Sequence, residues 1–242
     1  MQSTREAAPK AGAERARQVR TIFSEISHRY DLLNHVLSLN VDRAWRREAI
    51  RRLEWRAAPD GLYLDACAGT FDLALGLARR RGFAGRVVAT DFAQPMLVEG
   101  APKIAAAPVL PVCADTLSLP FEDGRFDGAA VGFGVRNLAD VPAGLAELRR
   151  VLREGARLVV LEFTEPPNRL VRVAYHLYFR RVLPVVGRIV SGHPWAYTYL
   201  PESVKEFPGP VELAGMFERA GFGSVGWRLL TGGIAAVHWG VA

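Results

Sequence analysis

The stretch that most constrains this chain runs from Gly61 to Asp91. It reads G-L-Y-L-D-A-C-A-G-T-F-D, then an apolar run, then R-V-V-A-T-D. Leu62 to Leu64 lead into Asp65, and a turn of small residues, Ala66 to Gly69, follows. Phe71, Leu73, Ala74, Leu75, Leu77 and Ala78 then recur at helical spacing. Arg86 to Ala89 make a second short strand, followed by Asp91. This is a βαβ unit. Its first turn faces a helix N-terminus, where such folds bind nucleotides. Asp91 lies about 20 residues beyond the turn glycine, which suits an acid that accepts hydrogen bonds from ribose hydroxyls.

The turn contains one glycine, Gly69. The dinucleotide fingerprint needs three, because close approach of backbone to a pyrophosphate demands them. The turn therefore argues against NAD and suits a ligand without a pyrophosphate. S-adenosyl-L-methionine (SAM) is such a ligand, with adenine, ribose, a sulfonium and an amino acid.

Around this unit the chain alternates strands and helices. Residues 1 to about 15 show no periodicity and read as a disordered arm. The rest, 16–242, reads as one domain with an N-terminal helical cap over 16–58. Asp42 is placed to cap its second helix, with Trp45, Ala49 and Leu53 on one face and solvated arginines on the rest. A helix follows Pro95. Strands are predicted at Val109 to Ala114, Phe126 to Gly132 and Arg157 to Phe163, with a helix opened by Asp140 and Pro142. The end of the chain reads as two strands around Thr231-Gly232-Gly233. The fold class is α/β: a doubly wound, mostly parallel sheet ending in an antiparallel hairpin. Asp65, Asp91, Asp115 and the Gly132–Asn137 loop all fall at carboxyl ends of strands, where such sheets bind ligands.

Residues 166–201 interrupt this alternation and contain no Asp or Glu. On a helix, Arg169, Arg172, His176 and Arg180 share one face, opposite Val171, Ala174, Tyr175, Tyr178 and Val182. This combination suits a helix that lies at a membrane interface, a helix that roofs the site, or both.

The net charge of +6 permits nucleic acid, an anionic membrane or an acidic substrate as partner without choosing among them. The two cysteines, Cys67 and Cys113, have no metal-ligand spacing and read as free thiols, so no metal is expected. The first ten residues hold no apolar run of a signal peptide, and no apolar run reaches the roughly 18 residues of a membrane span.

Larger motifs carry a resemblance. They are F-S-E-I-S-H-R-Y-D-L-L-N at Phe23, L-D-A-C-A-G-T-F-D at Leu64, T-D-F-A-Q-P-M-L at Thr90 and L-P-F-E-D-G-R-F-D at Leu119. G-F-G-V-R-N at Gly132, L-E-F-T-E-P at Leu161, A-Y-T-Y-L-P-E-S-V at Ala196 and T-G-G-I-A-A-V-H-W-G near the end complete the set. From about Val19 to Gly240 the chain resembles the menaquinone/ubiquinone-biosynthesis C-methyltransferases, which are Rossmann-like class I SAM-dependent methyltransferases acting on prenylated quinols. The resemblance implies SAM contacts from Thr70, Asp91, Asp115 and Thr116, beside Gly69 of the turn. Where the family usually carries Gly, this chain has Phe71, whose ring is expected beside the methionine end of the cofactor. Asp65 reads equally as a strand-end acid and as a partner for the cofactor's amino group.

Arg136, between a Gly-rich loop and Asn137, is the candidate cation that favours a quinol anion. Asn137 is the candidate holder of the second ring oxygen. Tyr30 or Asp31, on the cap, would orient the ring or relay a proton, with Asn34 on the same helical face as Tyr30. The implied reaction is C-methylation of demethylmenaquinol. A benzoquinol, another small molecule and RNA stay open as substrates, although no RNA-binding module is visible, and a degenerate fold that only binds a partner is the non-enzymatic reading. The expected setting is cytoplasmic, with transient contact at the inner face of the membrane, and a homodimer is compatible with it.

Overall fold

The computed structural model describes residues 40–178, 181 and 202–242. The expected arm and the first cap helix, with Tyr30, Asp31 and Asn34, lie outside the described residues. So does most of the inserted segment after 178.

Helix α1 (Asp42–Arg52) opens the described chain. Trp45, Ala49 and Leu53 are buried, as their spacing predicts. Asp42 does not cap the helix. Val41 holds that position, and Asp42 is the first helical residue, buried and 3.4 Å from Arg46. Arg46 is accordingly not solvated. It also reaches Asp72 at 3.4 Å and lies 5.2 Å from the Phe133 ring centre.

The unit β1 (Leu62–Ala66), α2 (Asp72–Ala78) and β2 (Arg86–Asp91) forms as read. Then come α3 (Gln94–Ile104), β3 (Val109–Cys113), β4 (Phe126–Gly132) and α4 (Val141–Val151). Asp140 caps α4, its Oδ1 accepting the Ala143 N–H at 2.9 Å. Strand β5 (Leu152–Phe163) starts earlier than its apolar run suggests. Leu152 leaves α4 already extended and pairs with Phe126, and a bulge then resets the register at Gly128. Pairing with a neighbour thus extends β5 through R-E-G, where no hydrophobic alternation exists. After α5 (Arg169–Leu177) and α6 (Pro210–Arg219), β6 (Gly223–Leu230) and β7 (Ala235–Val241) form the hairpin.

The sheet has seven strands in the order β3-β2-β1-β4-β5-β7-β6. Every pairing is parallel except β5 with β7 and β7 with β6. The order reverses between β1 and β4, which opens the crevice where doubly wound sheets hold ligands. One core layer joins α1 and α2 to the sheet through Trp45, Leu73 and Tyr63, and the other joins α4 and α6 through Leu148 and Phe217. The Trp45 indole N–H donates to Thr231 Oγ1 at 2.8 Å, pinning α1 to the hairpin turn.

Candidate active site

The turn after β1 is built from left-handed residues. Cys67, Gly69 and Phe71 have φ of 53°, 54° and 72°. For Cys67 and Phe71 this conformation costs on the order of 1 kcal/mol each. It aims the Gly69 N–H at Asp91 Oδ2, 2.9 Å away, while Ala93 N–H donates to Oδ1 at 2.8 Å. Two backbone donors therefore fix the Asp91 carboxylate, and each oxygen keeps a lone pair for a ligand. Burial raises the Asp91 pKa above the usual carboxylate range, and these two bonds oppose the rise.

The Phe71 ring does not lie beside the cofactor site. It is fully buried under the turn, against Gly100 of α3, where an added Cβ would come within 2.6 Å of the ring. The left-handed φ decides this, because it swings Cβ towards the core.

Asp65 is 2% exposed, and its Oδ2 accepts the Ala74 N–H at 2.8 Å. Its Oδ1 is buried with no hydrogen-bond partner among the described residues. Burial lifts its pKa to about 7, opposed by the Ala74 N–H and by Arg46. Leaving a carboxylate oxygen unsatisfied is costly, and an ammonium group would remove that cost.

One cavity gathers Gly69, Asp91, Asp115, Thr116, Asn137 and Cys67. Asp115 Oδ1 accepts the Leu117 N–H at 3.0 Å, which orients its carboxylate. Cys67 Sγ lies 3.4 Å from Thr116 Oγ1, and burial pushes its thiol up to about 12, so it stays protonated. Thr70 is buried behind the turn, its carbonyl accepting from Lys103 Nζ at 3.2 Å, and it does not line this cavity. Asp65 does not line it either. A fixed acid for ribose and a polar pair for adenine suit SAM.

Arg136 is not among the side chains lining that cavity. It packs behind the Val135–Asn137 turn, 6% exposed, with Nη1 2.7 Å from Glu162 Oε1 and 2.5 Å from the Phe133 carbonyl. Glu162, 1% exposed at the end of β5, also accepts N–H bonds from Arg136 at 3.3 Å and Phe163 at 2.9 Å. Tyr175 of α5 is buried close enough for the Arg136 charge to act on its hydroxyl, whose pKa burial raises. Glu162 and Arg46, both charge-paired in the interior, were not singled out from the sequence. The signal for Glu162 was an acid inside the apolar run V-V-L-E-F, which a buried strand tolerates only with a partner.

The fold and this set of acids define a Rossmann-like SAM-dependent methyltransferase. The chain belongs to the ubiE/COQ5 methyltransferase family, whose model matches residues 10–242. S-adenosyl-L-methionine is its methyl donor. A demethylmenaquinone methyltransferase of Thermus thermophilus is 49% identical over 221 residues, covering 90% of this chain and 99% of that protein. A ubiquinone/menaquinone biosynthesis C-methyltransferase of Geobacter sulfurreducens is 40% identical, covering 94% and 89%. Among solved structures, the cyclase SpnF aligns with a TM-score of 0.70 at 16% identity, covering 97% of this chain and 98% of that one. A Thermotoga maritima SAM-dependent methyltransferase, described as a possible histamine N-methyltransferase, aligns with a TM-score of 0.63 at 16% identity, covering 91% and 98%. These two likenesses concern the fold alone.

Proposed function

We propose that this enzyme methylates a ring carbon of demethylmenaquinol, giving menaquinol. The observation that carries this reading is the 49% identity to the Thermus thermophilus demethylmenaquinone methyltransferase across 99% of that protein. The bound cofactor supplies a methyl group already activated on a sulfonium, so the chain's task is to make the acceptor carbon nucleophilic. A quinol hydroxyl titrates near the phenolic value of about 10, and losing its proton pushes electron density onto the adjacent ring carbon. That carbon would take the methyl group as the methyl–sulfur bond breaks, leaving S-adenosylhomocysteine, and would then lose its own proton as the ring becomes aromatic again. Arg136 favours the quinolate as a cation that keeps its proton. Glu162 compensates its charge and fixes its direction behind the Val135–Asn137 turn, so the proposed effect of Arg136 on the acceptor comes from outside the cavity that holds Asp91. Asn137, whose side chain lies on the cavity wall, holds the second ring oxygen. Tyr30 and Asp31 are the residues proposed to orient the ring or take the proton.

The acceptor carries a polyprenyl tail, so the enzyme meets it at the inner face of the membrane, as a peripheral protein. Among the described residues no helix is long and apolar enough to cross a bilayer. Nucleic acid is not the proposed partner. A benzoquinol acceptor is the second reading, favoured by the 40% identity to the Geobacter protein named for both pathways. Purified enzyme should methylate reduced demethylmenaquinol and fail with the oxidised quinone, which has no hydroxyl proton to lose. Methylation of a benzoquinol but not a naphthoquinol replaces this reading with the second one.

A further inference from the structure

We infer that α5 docks the enzyme on an anionic phospholipid bilayer through a stripe formed by Leu170, Val173 and Leu177, flanked by Arg169. The inference rests on the reading that the acceptor is a polyprenyl quinol, which supplies the reason for the visit.

The two apolar sides of α5 have different partners. Of the side expected from the sequence, two members turn inward: Tyr175 is 6% exposed, near Arg136, and Val171 packs at the hairpin turn, where a Cβ on Gly232 would meet it at 3.4 Å. A second apolar side faces water. Leu170, Val173 and Leu177 are 81%, 61% and 60% exposed. Their i, i+3, i+7 spacing places them in one stripe.

The helix that carries them is anchored. Asn168 Oδ1 accepts from the N–H groups of Leu170 and Val171 at 2.9 and 3.3 Å. Arg172 donates to the carbonyls of Pro166 and Pro167 at 2.8 and 3.2 Å. Fixed large apolar side chains in one exposed patch mark a contact surface.

The chemistry at the edge of the stripe selects the occupant. Arg169 is exposed and makes no ion pair among the described residues, while the nearby carboxylate of Glu165 faces His176 at 3.5 Å. Aliphatic side chains beside an unpaired arginine suit shallow insertion below anionic headgroups. Three side chains are far from the roughly 800 Å² per partner of a stable protein interface. They also offer no aromatic platform for bases. Docked this way, α5 would stand between the lipid phase and Arg136, with Tyr175 on its inner side.

Flotation of the full chain with vesicles of phosphatidylcholine, with and without phosphatidylglycerol, tests the inference. Leu170→Ser/Val173→Ser/Leu177→Ser should partition at least about tenfold less onto the anionic vesicles. Arg169→Glu should cost about fivefold or more there and little on neutral vesicles. Turnover of a quinol embedded in vesicles should fall in parallel, while turnover of a tailless soluble quinol stays within about twofold. Unchanged flotation of the triple variant overturns the inference, as does an equal loss on both substrates. A triple variant that turns a dimer into a monomer yet floats normally makes the stripe a subunit contact and overturns it too. If the wild type floats in a stripe-dependent manner but methylates no quinol, the docking surface stands and the substrate reading falls. Quinol methylation with stripe-independent flotation has the opposite meaning.

Discussion

Arg136 and Glu162 form a buried ion pair, Nη1 to Oε1 at 2.7 Å, with both side chains almost sealed from solvent. The pair ties the turn after β4 to the end of β5. Removing one partner of such a pair leaves an uncompensated buried charge and typically costs about 3–5 kcal/mol. Glu162→Gln keeps the shape and removes the charge. Its urea midpoint should fall accordingly, and its turnover should fall with SAM affinity nearly intact. Arg136→Lys keeps charge but loses the planar fork, and should lose turnover without losing SAM. Wild-type turnover in either variant removes the pair from the mechanism.

Asp91 is held by two backbone N–H groups and faces the cavity. Asp91→Asn preserves its volume while removing the charge-assisted bonds to ribose. The expected loss in SAM binding is about 1.5–3 kcal/mol, measured by calorimetry. An unchanged affinity excludes the ribose role.

The folded pKa of Asp65, about 7, makes SAM binding depend on pH. A cationic amino group beside Oδ1 favours the ionised acid, so binding drives a proton off at and below neutrality. SAM affinity should therefore rise as pH increases through about 7. Calorimetry in buffers of differing ionisation enthalpy should detect the released proton. Asp65→Asn should show neither effect, and a wild-type affinity flat across this range would place the amino group elsewhere.

His238 lies on β7, 2% exposed, with Nε2 3.0 Å from the Pro210 carbonyl. Burial lowers its pKa from 6.5 to about 4, with the Pro210 contact opposing. The unfolded chain thus binds a proton that the folded one refuses between these values. This contribution to stability is complete above about pH 6.5 and is lost as pH falls towards 4, on the order of 3 kcal/mol in all. Asp65, with its raised pKa, works in the opposite sense over this range, so the comparison is with His238→Phe: the gain in denaturant midpoint from pH 5 to pH 7 should be larger in the wild type than in that variant. A steeper acid loss in that variant would assign the effect to other groups.

Local pattern determined much of this protein. Short apolar runs marked the core strands and the 3.6-residue period marked the helices, and the single turn glycine pointed away from a pyrophosphate ligand. Asp91, Asp115 and Thr116 were legible because strand ends are recognisable in sequence, and the fold brings strand ends together. Other features depend on residues distant in the chain. Asp42 turned inwards towards Arg46, and β5 gained five residues from the Leu152–Phe126 pairing with β4. The Phe71 ring left the cofactor site because the left-handed turn aims it at Gly100. Arg136 became half of an ion pair because β5 delivers Glu162 beside it, 26 residues later in the chain. The inner and outer sides of α5 were likewise settled by what lies under the helix. Spacing shows which residues share a face, but burial and charge compensation are set by the neighbours that the tertiary fold supplies.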